Sequence, residues 1–170
     1  MRGAARITGV GSRTIVLAAT LAVLVLVKLF VLETCRISGN SMYPTLHNGE
    51  IHLILKSAYL FGSPQRGDIV AIHPIGAPKV VYVKRVIAVA GDLIQVVNGG
   101  VYLNGELLDE PYAAGPTDGH VSPRVMPEGE IFVLGDNRTV SGDSREWAGW
   151  GVRVENVQGR LILLPWRSLK

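Results

Sequence analysis

The stretch Ile15–Leu32, IVLAATLAVLVLVKLFVL, runs for 18 residues with a single charge, Lys28. Few folds accept such a run. As a helix rising about 1.5 Å per residue it spans roughly 27 Å, against a bilayer hydrocarbon core of roughly 30 Å. Lys28 lies near the far end, where its stem lets the ammonium snorkel to the headgroups. Arg2, Arg6 and Arg13 precede the run and few basic residues follow it directly. That bias predicts an N-terminus inside and a C-terminal part on the exoplasmic side. A cleaved leader needs a small-x-small site after the run, and Leu32-Glu33-Thr34-Cys35-Arg36 offers none. A lipid-modified Cys35 wants small residues before it, where Glu33 stands. A buried core helix is disfavoured by the one-sided arginines and the all-round apolarity. The expected organisation is a basic cytoplasmic N-terminus (1–14), a transmembrane anchor (15–32) and an exoplasmic domain (33–170).

The remaining length suffices for one domain with its own core. With 48% apolar and 18% charged residues in 170, the chain is no disordered polyelectrolyte. From Arg36 onward the 13 Lys/Arg (17 less Arg2, Arg6, Arg13 and Lys28) match the 13 Asp/Glu (14 less Glu33). The net charge of +3 is therefore an N-terminal flank and not a basic stripe on the domain, which excludes nucleic acid as a partner. A single cysteine excludes an internal disulfide framework and a Cys-based zinc site.

Beyond the anchor, short Val/Ile-rich runs alternate with Gly, Pro and Asn turns. Strands are expected over Glu50–Leu55, Asp68–Ile72, Val80–Ala90, Leu93–Val97, Val101–Leu103, Glu130–Leu134 and Arg160–Leu164. Leu103-Asn104-Gly105-Glu106 reads as a two-residue hairpin. Short helix is expected near Ser41–Leu46 and Ser57–Phe61. Asp109–Met126 is rich in Pro and Gly and reads as a long excursion, making a loop-rich insertion around 98–128. The class is mainly β.

Three segments carry chemistry. In Ile37-Ser38-Gly39-Asn40-Ser41-Met42-Tyr43-Pro44, a strand running into Gly39 bends, and a serine on such a bend exposes its hydroxyl and its own N–H together. Spacing alone leaves an ordinary turn as the plainer reading. A nucleophile needs a base, and His47, His52, His73 and His120 read as surface or turn residues. Lys84 lies inside the apolar run Val80–Ala90, with Val80, Tyr82, Val86 and Ala88 on its face. A free lysine is neutral in roughly 1 molecule in 2,500 at pH 7, and burial lowers its pKa by up to about 3–5 units. The plain alternative is a snorkelling strand lysine beside Arg85. The third segment, Gly135-Asp136-Asn137-Arg138-Thr139-Val140-Ser141-Gly142-Asp143-Ser144-Arg145, packs polar side chains after a buried strand. It reads either as a solvated loop with Asx turns or as a network holding a catalytic group.

Ser38-Gly-Asn-Ser41-Met-Tyr-Pro-Thr45, Tyr82-Val-Lys84-Arg-Val-Ile-Ala-Val-Ala-Gly91-Asp92 and Gly135-Asp-Asn-Arg138 with Ser141 and Asp143-Ser144-Arg145 resemble the three main boxes of bacterial type I signal peptidases. They stand in the family's order behind one N-terminal anchor, and the resemblance covers most of residues 15–160. It implies a coiled β-sheet catalytic domain in a compact, Gram-positive-like form. It implies a Ser–Lys dyad without metal or cofactor, Ser41 as nucleophile and Lys84 as general base. Ser141 matches the serine that orients the lysine; Asp143 and Arg145 match its supporting pair, and Asp136 and Asn137 belong to the same box. Cys35, Ile37, Met42, Leu46, Tyr82 and Val83 match the substrate pocket, with Cys35, Ile37, Gly39 and Ser41 expected on one strand face. The implied substrates are exported pre-proteins cut after small residues in an Ala-x-Ala pattern, at a bilayer surface.

Two positions depart from the family. Gly39 stands where some members carry an oxyanion-donating serine, and Thr139-Val140 stand where Asp-Asn is frequent. Tyr59-Leu60-Phe61 and Leu163-Leu164-Pro165-Trp166 read as interface or core. Competing readings are a conjugation-type or mitochondrial inner-membrane processing peptidase, a repressor-type self-cleaving protease, and a tethered β domain that only binds partners. The missing DNA-binding half disfavours the self-cleaver; the presence of both Ser41 and Lys84 disfavours the inactive domain.

Overall fold

The computed structural model describes residues 11–73, 80–147 and 149–165, less the side chains of 12, 27 and 29. Arg2, Arg6 and Trp166 of the membrane reading lie outside them. Helix α1 covers Ser12–Phe30. It shares with the apolar run only residues 15 through 30, because Val31 turns and Leu32 already begins a strand. Among the described residues no helix is long and apolar enough to cross a membrane. The apolar side chains described on α1, from Ile15 to Phe30, are exposed, Leu17 to 71%.

In chain order the first strands are β1 (Leu32–Arg36), β2 (Ile51–Leu55), β3 (Ile69–Ile72), β4 (Tyr82–Ala88), β5 (Leu93–Val97) and β6 (Gly100–Leu103). They are followed by β7 (Glu106–Leu107), β8 (Val121–Val125), β9 (Glu130–Leu134), β10 (Val152–Arg153) and β11 (Val157–Ile162). A seven-stranded antiparallel sheet has the order β1-β2-β11-β3-β4-β9-β10, and a four-stranded sheet the order β7-β6-β5-β8. The β9 sequence EIFVL shows why the sheets stack. It is buried on both faces: Phe132 and Leu134 cluster with Ile94, Val96 and Val101 of the small sheet and with Met126 just after it, while Ile131 and Val133 cluster with Val70, Val86 and Val152. A third apolar cluster joins Ile37, Met42, Leu46, Ile54, Ile69, Ala71 and Leu161.

The hairpin expected at Asn104-Gly105 is present, with Leu103 paired to Glu106 and both turn residues at positive φ (56° and 90°). Several expectations need correcting. The chain at Ser41–Thr45 is a turn and not a regular helix, and Lys56–Tyr59 is a single 3-10 turn. The excursion is less loop-rich than its composition suggests, since Val121–Val125 pairs with β5 as a full strand. Composition misleads there because Pro123 tolerates an edge strand. The face shared by Lys84 stops at Val86. A bulge between Val86 and Ala88 breaks the alternation and sends Ala88 with Ile87 into the cluster against the small sheet.

Candidate active site

Strand β1 ends at Arg36, so no continuous strand face carries Cys35 through to Ser41. Pairing persists one step further: the Ile37 N–H donates to the Glu50 carbonyl (2.8 Å) and the Gly49 N–H to the Ile37 carbonyl (2.9 Å). The chain then breaks away at Gly39, whose φ of +92° a side chain would resist and whose N–H donates to Asn48 Oδ1 (3.0 Å). Ser41 opens the following turn. Its carbonyl accepts the Asn137 N–H at 3.0 Å, which ties the turn to the loop after β9. Among the described residues none accepts a hydrogen bond from the Ser41 N–H.

Strand β4 places Lys84 opposite Val70, 2% exposed. Its Nζ donates to Ser141 Oγ at 2.8 Å and lies 5.7 Å from the Tyr82 ring centroid. Burial pushes the Lys84 pKa down to about 8; the Asp143 carboxylate opposes that fall and the Arg145 charge adds to it. With that value roughly one molecule in ten carries a neutral amine at pH 7. Ser41 and Lys84 line one cleft of about 500 Å³, together with Ser38, Gly39, Tyr82 and Trp147. Asn137, Val140 and Gly142 complete its loop side. The Tyr82 and Trp147 rings stack at 5.8 Å to form one wall.

The loop from Gly135 to Arg145 is a buried network and not a solvated turn. Asp136, fully buried, takes a fork from Arg85 (Nε to Oδ1 2.8 Å, Nη2 to Oδ2 2.6 Å) and the Thr45 hydroxyl at 2.5 Å. One carboxylate thus joins the serine turn to the residue after Lys84. Asp143 accepts the Gly135 N–H (3.1 Å) and Arg145 Nε (2.8 Å). Arg145 Nη2 reaches the Ser141 carbonyl at 3.0 Å. Ser141, whose hydroxyl meets the lysine, is 4% exposed. Asn137 uses its backbone on Ser41, and its Oδ1 accepts the Thr139 hydroxyl at 3.2 Å.

Of the six expected pocket residues, only Tyr82 lines the cleft. Ile37, Met42 and Leu46 are sealed in the apolar cluster, and Cys35 and Val83 pack against it. Burial also raises the Cys35 thiol pKa, which suits a packing residue. None of the four histidines lines the cleft. His52 is not a surface residue: it is 2% exposed, with its ring between Glu50 Oε2 (2.9 Å) and the Leu164 N–H (3.2 Å). Sequence reading missed Thr45, Arg85 and Gly135. An added Cβ on Gly135 would stand 2.2 Å from Ser141 Oγ and 2.5 Å from the Ser41 carbonyl oxygen, so glycine alone lets the two serine segments meet. The dense polar run after a buried strand was the one signal for this packing.

A half-buried serine hydroxyl after a glycine bend and a buried amine of lowered pKa, lining one cleft, form the elements of acyl transfer to serine. The signal peptidase I of Bacillus amyloliquefaciens is 39% identical over 93% of this chain and 86% of its own length. That of Leptolyngbya laminosa is 37% identical over 92% and 78%. A crystal structure of a signal peptidase I from Enterococcus faecalis matches with 30% identity and a TM-score of 0.49, covering 58% of this chain and 97% of that one. The family described as signal peptidase, peptidase S26, matches residues 11–166, and the chain belongs to it.

Proposed function

We propose that the protein is a membrane-bound serine endopeptidase that removes N-terminal signal peptides from exported pre-proteins, cutting after small residues in Ala-x-Ala sites. The observation that carries the reading is the buried Lys84 amine, held by Ser141 in the cleft that Ser41 also lines. Ser41 Oγ attacks the scissile carbonyl while neutral Lys84 Nζ takes its proton. The Ser41 N–H donates to the developing oxyanion. The Lys84 ammonium then protonates the leaving amine, which departs as the mature N-terminus. In the second half Lys84 takes a proton from the attacking water and returns it to Ser41 Oγ as the acyl bond breaks, which releases the signal peptide as a free carboxylate and restores the serine hydroxyl and the neutral amine.

Ser141, Asp143 and Arg145 orient the lysine in this reading, and Asp136 and Asn137 hold the serine turn against the loop. Ile37, Met42 and Leu46 fill the space beneath that turn with their own side chains. A floor already filled leaves shallow room, which suits small substrate side chains.

The anchor is part of the proposal. Helix α1 at 19 residues extends about 28 Å, and its described apolar side chains from Ile15 to Phe30 are exposed. Arg13 and Lys28 near its two ends suit snorkelling, and a short apolar span is accommodated by local thinning of the bilayer. The arginine bias places the N-terminus in the cytoplasm and the catalytic domain outside.

The deciding experiment is cleavage of an Ala-x-Ala pre-protein by detergent-solubilised enzyme, with Ser41→Ala and Lys84→Ala beside the wild type. Cleavage after the second Ala, lost in both variants, is the expected outcome. An active Lys84→Ala beside an inactive Ser41→Ala refutes the lysine base.

A further inference from the structure

Three arginines hold the loop that carries Ser141. Arg85 grips Asp136, Arg145 grips Asp143 and the Ser141 carbonyl, and Arg138 Nε donates to the Gly135 carbonyl at 3.0 Å. The segment Glu110–Asp118, between β7 and β8, touches all three. The Tyr112 ring lies 4.0 Å from the Arg85 guanidinium, and the Asp118 carbonyl accepts Arg145 Nη1 at 2.8 Å. Both Glu110 oxygens accept from Arg138, Nη1 to Oε2 and Nη2 to Oε1, at 2.6 Å each. Thr117 Oγ1 takes a further bond from Nη1 at 2.6 Å. Two backbone bonds splice segment and loop: the Ala114 N–H to the Asp136 carbonyl (2.7 Å) and the Arg138 N–H to the Ala114 carbonyl (3.1 Å).

The Arg138 side chain is wholly buried and that of Glu110 is 9% exposed. A charge sealed this deeply needs its counter-ion. Burial alone would lower the Arg138 pKa, yet the Glu110 carboxylate, helped by Tyr112 and Asp136, holds the guanidinium above its ordinary value. With Nη1 and Nη2 pinned, the planar fork leaves Nε one direction to point, at Gly135. Gly135 is the residue wedged between Ser141 and the Ser41 carbonyl. Glu110 lines no part of the cleft.

We propose that Glu110 is a positioning residue for the peptidase reaction: through Arg138 it fixes Gly135, and with it the spacing of Ser41 and Ser141. The inference rests on the Ser41–Lys84 reading above. The second sheet and its excursion are then a brace for the catalytic loop.

The test uses the full chain in detergent, an Ala-x-Ala pre-protein, and Ser41→Ala in parallel. Glu110→Gln keeps the side chain's shape and removes its charge. Because misplacement near 1 Å costs about 100-fold in rate, kcat is expected to fall roughly 10–100-fold. KM should stay within about 2-fold, since no substrate contact is lost. Glu110→Asp, which keeps the charge at a shorter reach, should recover part of kcat. A purely structural role lowers the melting temperature but leaves kcat per folded molecule, read well below that temperature, at the wild-type value; that result overturns the proposal. If Glu110→Gln does not fold, Thr117→Val decides: a kcat loss of about 3–10-fold at constant KM supports the brace, and an unchanged kcat overturns it. Wild type that leaves such substrates uncut, as Ser41→Ala does, overturns the peptidase reading itself and this inference with it, whereas an active wild type with unaltered brace variants overturns only the brace.

Discussion

Gly135→Ala probes the tightest point of the site. The added methyl would stand 2.2 Å from Ser141 Oγ, 2.5 Å from Ser141 Cβ and 2.5 Å from the Ser41 carbonyl oxygen. Ordinary contacts between such atoms lie near 3.5–4.0 Å, so relief requires shifts of about 1 Å or more. Neither neighbour yields easily. Ser141 is tied to Lys84 Nζ and, through its carbonyl, to Arg145; the Ser41 carbonyl is tied to the Asn137 N–H. Overpacking of this kind destabilises by about 1–3 kcal/mol. In a chain of this size that lowers the melting temperature by roughly 2–12 °C. The rate should suffer more, because the shift separates the lysine's partner from the serine turn: a loss of at least about 100-fold in kcat/KM is expected. Calorimetry and initial rates on an Ala-x-Ala pre-protein give both numbers. Gly62→Ala is the control, since a Cβ there meets nothing within 4 Å. Wild-type rate and melting temperature in Gly135→Ala would refute the packing argument.

The Lys84 pKa of about 8 places the ascending limb of kcat/KM near pH 8, read from a pH-rate profile; a limb near pH 6 would point to a histidine instead. The same shift sets stability. Between pH 8 and 10.5 the unfolded chain binds a proton at this site and the folded one does not, so stability rises with pH in that window. Below pH 8 the buried charge costs about 3 kcal/mol, so Lys84→Met should melt higher than wild type at pH 7 while losing all cleavage. Ser141→Ala removes the partner 2.8 Å from Lys84 Nζ and should lower kcat by about 10–100-fold, less than Lys84→Ala; equal losses would count against its supporting role. Asp136→Asn removes the wholly buried carboxylate charge that the Arg85 fork grips and leaves a guanidinium only 11% exposed without its counter-ion, an expected loss of about 3 kcal/mol by denaturant titration. Losses under 1 kcal/mol would mean that Arg85 finds solvent.

Much of the β framework was legible because its signals are local. Leu93–Val97 and Glu130–Leu134 were bounded correctly by flanking Gly, Asp and Asn residues, and Asn104-Gly105 named its own turn. Ser41 and Lys84 were legible for a different reason. On pattern alone each has a plainer reading, a turn serine and a snorkelling strand lysine, and it is the resemblance of three ordered boxes that singles them out. The end of this first strand, β1, was less legible, since the expected alternation ran on through Gly39 to Ser41, while the chain pairs only as far as Ile37 and breaks away at Gly39.

What the chain's order of residues settled, without any structure, was the family's three boxes, the apolar N-terminal run and the mainly β class. The boxes rest on the family resemblance; the run and the class rest on hydropathy, periodicity and turn chemistry, which act over a few residues. The fold decided which charges are buried and which partners they find. Arg85 meets Asp136 across 51 positions and Arg138 meets Glu110 across 28, and nothing local in either sequence marks the pair. An arginine in a polar loop reads as solvated until two stacked sheets close over it. The lowered pKa of Lys84, the wedge at Gly135 and the excursion that braces the loop arise in the same way. Desolvation and close packing depend on segments distant in the chain, and only their assembly brings those segments within reach.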